Sequence, residues 1–179
     1  MTTAFWRRLD IEGHDRCVLE PDVAGHRLAG TALVLLDDAS YDIRYTMITD
    51  GEWRTRVVAA HLQGPGGDRR LSLRSDGDGH WTVGDEVLAE LDGCLDVDLA
   101  FTPAANTLPI RRLGLEVGAA ADISVAYVGF PDNEIRRERQ RYERVEEAVF
   151  RYSVENDHTD LVVDENGLVT DFPRMWVAV

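Results

Sequence analysis

Turn-forming residues recur so often along this chain that few segments between them are long enough for a helix, and this spacing constrains the fold more than any other feature. The segments they bound also alternate. In Tyr41 to Thr49, the apolar Tyr41, Ile43, Tyr45 and Met47 are interleaved with Asp42, Arg44 and Thr46 at period two, which predicts a strand with one buried face. His26 to Leu36 leads into it through Asp37, Asp38 and Ser40. Asp50-Gly51 is expected to supply the positive-φ pair of a tight hairpin, with Glu52 to Leu62 returning and presenting Trp53, Thr55, Val57 and Ala59 on one face. Gly64-Pro65-Gly66-Gly67 ends that strand. Arg69 to Ser75, His80 to Val83 and Glu86 to Leu91 read as a meander, and Thr159 to Val163 with Leu168 to Phe172 as a further hairpin around Asp164-Glu165-Asn166-Gly167. Ile123 to Val128 is apolar at every second position and between, as in a central strand covered on both faces. The expected class is mainly β. Neither a repeat nor a linker interrupts it, so a single domain over residues 1–179 is expected.

Asp132 to Val149 is where the pattern divides. Ile135, Tyr142, Val145 and Val149 fall at helical spacing, while the segment's length also accommodates two strands. The arginines here, Arg136, Arg137, Arg139, Arg141 and Arg144, are interleaved with Glu138, Glu143, Glu146 and Glu147, which reads as a solvated face.

Charge narrows the choice of partners. With 33 acidic and 19 basic residues the formal charge is −14, which repels phosphate backbones and anionic bilayers, so nucleic acid is not an expected partner. Every basic residue is arginine and none is lysine, a bias expected of a GC-rich bacterial genome. The longest apolar run, Thr31 to Leu36, falls far short of the roughly 20 residues of a membrane-spanning helix, and Met1 to Asp15 is too charged for a signal peptide. A cytoplasmic location is the expectation. Cys17 and Cys94 are isolated and are expected to be reduced thiols.

Catalytic and metal patterns are sparse. Asp76-Gly77-Asp78-Gly79-His80 begins like a calcium loop, but the sixth and twelfth positions, which need glycine and glutamate, hold Trp81 and Val87. The five histidines are scattered, and no GxSxG or phosphate-cradling loop occurs, so neither a metal nor a cofactor is expected. The carboxylates of most interest are Asp92, Asp96 and Asp98, the last two projecting from one face of a strand, with Arg111 and Arg112 following. They suit an acid/base pair, and equally an ion-pair lock, with Asp96 bound to Arg111 or Arg112. Trp53 and Trp81 read as core residues, with stacking on a sugar ring as their functional alternative.

The run Leu91-Asp92-Gly93-Cys94-Leu95-Asp96-Val97-Asp98-Leu99, continued by Thr102-Pro103 and Asn106-Thr107-Leu108-Pro109-Ile110-Arg111-Arg112-Leu113, resembles the hallmark of the putative glycolipid-binding family, once called a domain of unknown function. Trp6-Arg7, Gly30-Thr31, Tyr45, Asp50, Trp53 to Arg56, Trp81, Gln140 to Tyr142, Val163-Asp164, Gly167 to Val169 and Phe172-Pro173 extend the likeness over almost the whole chain. The resemblance implies a strongly twisted antiparallel sheet forming an incomplete barrel or half-barrel with one or two short helical turns. It also implies strands at Glu134 to Arg144 and Ala148 to Asn156, and a monomer or weak dimer. Its concave face would shelter an amphiphile such as a glycolipid, without catalysis. Ala104-Ala105 stand where a bulkier residue is expected.

Asn106 to Leu113 reads as a turn or single helical turn, capped by Asn106 and Thr107, that plugs one end of the sheet. In the binding reading Asp92, Asp96, Asp98, Asn106, Arg111 and Arg112 line a polar mouth, with Tyr45 and Trp53 beside the alkyl part. The alternatives are a small-substrate hydrolase or isomerase using the Asp92/Asp96/Asp98 and Arg111/Arg112 region, and a protein interaction module.

Overall fold

A computed structural model describes residues 1–179. Fifteen strands form one sheet: β1 (Thr2–Arg8), β2 (Glu12–Pro21), β3 (Gly25–Leu36), β4 (Ala39–Asp50), β5 (Thr55–Gly64), β6 (Gly67–Ser75), β7 (Trp81–Val83), β8 (Glu86–Val87), β9 (Asp96–Leu99), β10 (Ala120–Val128), β11 (Ile135–Glu146), β12 (Val149–Val154), β13 (Asp157–Val163), β14 (Val169–Phe172) and β15 (Trp176–Ala178). Their order is β8-β7-β6-β5-β4-β3-β2-β1-β15-β14-β13-β12-β11-β10-β9. Every neighbouring pair is antiparallel except β9 and β10. The sheet does not close into a barrel, but it curls far enough for Thr55 N at the start of β5 to donate to Leu95 O beside β9, at 2.9 Å. No helix is long and apolar enough to cross a membrane.

The alternation read from the sequence sets the buried face. Ile43, Tyr45 and Met47 of β4 are buried, as are Cys17 and Leu19 of β2 and Ala32 and Val34 of β3. The Asp132 to Val149 segment is extended: β11 and β12 pair as a hairpin, with Tyr142 opposite Tyr152, so its helical spacing is incidental. Two expectations are corrected. Gly51 does not carry the turn after β4; the loop is longer, Asp50 Oδ1 accepts the amides of Glu52 and Arg54, and Trp53 takes the left-handed conformation at φ 67°. A register shift then puts Ile48 opposite Val57 and Thr49 opposite Thr55, which reverses the phase of β5. Thr55 stays buried, but Val58, Ala60 and Leu62 face the core, while Ala59 is exposed. The second correction concerns Ile123 to Val128: β10 is covered on both faces at Val125 and Ala126, yet it is next to last in the sheet, not central.

Between β9 and β10 the chain dives into the hollow of the sheet. A 3-10 turn at Pro103–Asn106 runs into helix α1 (Thr107–Leu113), and all ten residues from Phe101 to Ile110 are buried. Thr102, not Asn106 or Thr107, caps this plug: its Oγ1 accepts the Ala104 amide at 3.1 Å. Pro109 lies in the first turn of α1, where its missing amide donor is tolerated, and Gly114 ends the helix at φ 53°. Phe101, Ala104, Ala105 and Leu108 pack into the main core with Trp6, Tyr45 and Trp81. Burial of Ala104 and Ala105 to 0% and 1% exposure explains their size: the neighbouring strands fill the space a larger residue would need. Ile110 instead joins a smaller cluster with Tyr142, Phe150, Leu161, Val163 and Val169 on the β11–β14 side.

Candidate functional site

The plug fills the hollow unevenly and leaves a cavity of about 620 Å³ on the side of β9, β10 and β12–β15. Leu99, Thr102, Pro103, Asn106 and Trp176 form its buried floor; Tyr127, Phe130, Tyr152 and Phe172 supply aromatic walls; exposed Asp10, Asp157, His158 and Arg174 ring the mouth. Arg8 closes one side, its guanidinium clasped by Asp10 at 2.8 and 3.1 Å and lying 5.2 Å from the Trp176 ring.

Asp98 is the ionisable group at the centre of this wall. It pairs with Tyr127 in the β9–β10 register and accepts from Gln140 Nε2 at 2.6 Å. Burial raises its carboxyl from the ordinary 3.8 to about 6, assisted by the charge of Glu138; hydrogen bonds from Gln140 and Tyr152 and the charge of Arg136 pull the other way. Tyr142 and Tyr152 sit nearby with ring centroids 5.2 Å apart, and burial raises both phenols. Asn106 Nδ2 donates to Tyr142 Oη at 2.9 Å, which fixes the plug against β11. Near pH 6 this wall therefore offers a carboxyl group that can donate or accept.

A second buried carboxylate stands behind the floor. Asp15 is 0% exposed; its Oδ2 accepts from Tyr45 Oη at 2.8 Å and from Thr102 Oγ1 at 2.5 Å, while Oδ1 has no partner. Burial raises its carboxyl to about 6 as well. Tyr45 reaches it because Gly30, opposite in β3, has no side chain: a Cβ there would overlap the phenol. This network joins β2, β4 and the plug.

The residues singled out from the sequence do not form one mouth. Asp98 and Asn106 line the cavity. Asp96 is consumed elsewhere, in a bidentate pair with Arg112, whose Nε lies 3.0 Å from Oδ1 and whose Nη2 lies 2.6 Å from Oδ2; Asp96 is 0% exposed. The expected Asp96–arginine pair is thus present, and the two carboxylates take different partners, Asp96 with Arg112 and Asp98 with Gln140. Asp92 is exposed, its carbonyl accepting from Arg137. Arg111 is exposed and lies 5.2 Å over the Trp53 ring, which also stacks on His26 at 3.7 Å. Trp53 and Tyr45 are buried and face away from the cavity, so neither flanks a ligand there. The Asp76 turn is a capped hairpin: Asp76 accepts the amides of Asp78 and His80 and lies 2.7 Å from His80 Nδ1, an interaction that holds its carboxyl down at about 2.

The model of the family described as putative glycolipid-binding matches residues 3–178. The chain belongs to this family. A crystal structure of a DUF1089 family protein from Pseudomonas aeruginosa, at 1.80 Å resolution, is 34% identical and superposes with a TM-score of 0.81, covering 89% of each chain. No curated protein matches the chain. The single open, twisted sheet agrees with the incomplete barrel expected from the resemblance, and the stretch from Leu91 to Leu113 forms the loop before β9, β9 itself and the plug.

Proposed function

We propose that this family member binds an amphiphile without catalysis, holding it in the Asp98 cavity. The observation that carries the reading is Asp98 itself, a carboxyl group raised to about 6 on the wall of an aromatic-sided cavity open at a polar rim. A volume of about 620 Å³ lies within the roughly 300–1,000 Å³ of small-molecule sites. The tyrosines and Phe172 offer flat apolar surfaces to a sugar ring or the start of an alkyl chain. Asp98 and Asn106 hydrogen-bond hydroxyl groups, and the family description favours a glycolipid as the source of both.

The test is organic extraction and mass spectrometry of the purified protein, followed by a thermal-shift panel of glycolipids and lipids. A bound molecule at a hundredfold excess over its Kd raises the unfolding free energy by about 2.7 kcal/mol. Val154→Trp, which fills the cavity from half-buried β12, should abolish that rise and leave the unliganded melting temperature nearly unchanged. No extracted molecule and no shift across the panel would end the proposal.

A further inference from the structure

The interleaved charges of β11 look balanced in sequence, but a strand sorts them by parity. Arg137, Arg139 and Arg141 share one face, about 7 Å apart, while Glu138 and Gln140 turn to the other, toward Asp98. A groove of about 860 Å³ borders that arginine face and passes the edge of β10 left open by the short β9, where Gln140 and Arg112 reach it from the other face. Ser124 and Ser153 lie opposite Arg139 and Arg141 in the neighbouring strands and contribute hydroxyl groups.

Two of these four guanidinium groups, Arg112 and Arg141, already hold a carboxylate, and the other two do not. Arg141 pairs with Asp122 at 2.9 Å, and Arg137 donates only to the Asp92 carbonyl. Arg139 is exposed and engages no carboxylate. Arg112 is held rigid by Asp96 through Nε and Nη2, which leaves Nη1 uncommitted. Glu143, next along the row, faces Arg151 across β12, so Asp122 and Glu155 are the acidic residues lining the groove against four arginines. In a chain of net charge −14, such a concentration of guanidinium groups stands against the overall field.

We infer that this groove is an anion site, distinct from the Asp98 cavity, which receives a phosphate-bearing ligand between Arg112 and the Arg137–Arg139–Arg141 row. Guanidinium forks suit phosphate oxygens, and an arginine already clasped by a carboxylate loses little freedom on binding. The phosphate belongs either to a soluble metabolite or to a lipid head group.

Titration with inorganic pyrophosphate, and flotation with vesicles of phosphatidylcholine alone or mixed with phosphatidylglycerol, separate the two sources. Pyrophosphate binding should weaken as salt rises, and Arg139→Gln should reduce affinity about tenfold, the equivalent of one charge-assisted hydrogen bond. Because Arg139 is exposed, the variant should melt with the wild type. Vesicle binding that requires phosphatidylglycerol and is lost in Arg139→Gln assigns the phosphate to lipid; pyrophosphate binding without vesicle binding assigns it to a soluble ligand. Absence of binding in both arms, or binding that Arg139→Gln leaves intact, overturns the site. Val154→Trp should leave these titrations untouched, which separates this outcome from the fate of the Asp98 cavity.

Discussion

The two sides of the plug face different stretches of the one sheet and are finished differently. Toward β2–β6, Phe101, Ala104, Ala105 and Leu108 meet Tyr45, Met47, Val58 and Leu73 in a continuous apolar core. Toward β12–β15 the chain leaves about 620 Å³ unfilled and lines it with Asp98, tyrosines and Phe172. A side chain that completes a packed core sets stability, whereas one that borders a void has few neighbours to lose and is free to meet a ligand.

Two phenylalanines separate these roles most sharply. Phe101→Ala removes a 0% exposed ring and should cost about 3–5 kcal/mol in denaturant unfolding, whereas Phe172→Ala, half-buried at the cavity, should cost about half as much or less and abolish ligand-induced stabilisation. Equal losses at both positions would erase the distinction between the two sides. The aspartates two residues apart on β9 sharpen it next. Asp96→Ala orphans Arg112, whose side chain is 15% exposed, and should cost about 3 kcal/mol; Asp96→Ala with Arg112→Met should recover most of the loss. An unchanged melting temperature for Asp96→Ala would show that the pair holds nothing.

Asp98→Asn should have the smallest effect and the opposite sign. Asp98 and Asp15 both titrate near 6 in the folded chain against 3.8 ordinarily, so the folded state keeps protons that the unfolded chain releases. Both groups therefore make stability fall as pH rises from about 4 to 6. Replacing Asp98 by its neutral amide should flatten part of that fall and add on the order of 1 kcal/mol at neutral pH, discounted for water in the cavity. A pH–stability profile identical to the wild type would place the Asp98 carboxyl in ordinary solvent.

Much of this contrast was legible in the sequence, because alternation at period two and turn residues report burial directly. The strands from β3 to β7, the helical turn within Asn106 to Leu113 and the Asp96–arginine pair follow from residue type and spacing, whereas β1 and β2 have no counterpart in that reading and Glu86 to Leu91 is a strand only at Glu86–Val87. Three further features do not follow in this way. Trp53 in a left-handed turn and the bulge after it depend on Asp50 gathering amides, and a one-residue shift reverses every face assigned to β5. The Asp15–Tyr45–Thr102 network spans 87 residues, although Asp15 carried a signal: it lies in phase with buried Cys17 and Leu19 and interrupts an apolar face. The cavity itself is a volume left over by packing, and Tyr152 and Arg8 reach it from strands whose separation is fixed only in three dimensions.

The pairing of β1 with β15 has its own consequence for how the chain assembles. Each run of strands on either side, β1 to β8 and β10 to β15, zips through neighbours in sequence, and such local contacts close quickly. The seam between them sets Trp6 beside Ala178 and sends the Trp6 indole N–H to Val169 O, residues at opposite ends of the described chain. Its closure spans a longer stretch of chain than any other strand pairing, so two preformed ribbons are expected to meet at Trp6 late in folding. Indole fluorescence at that position would then report the joining of the ribbons and not the formation of either one.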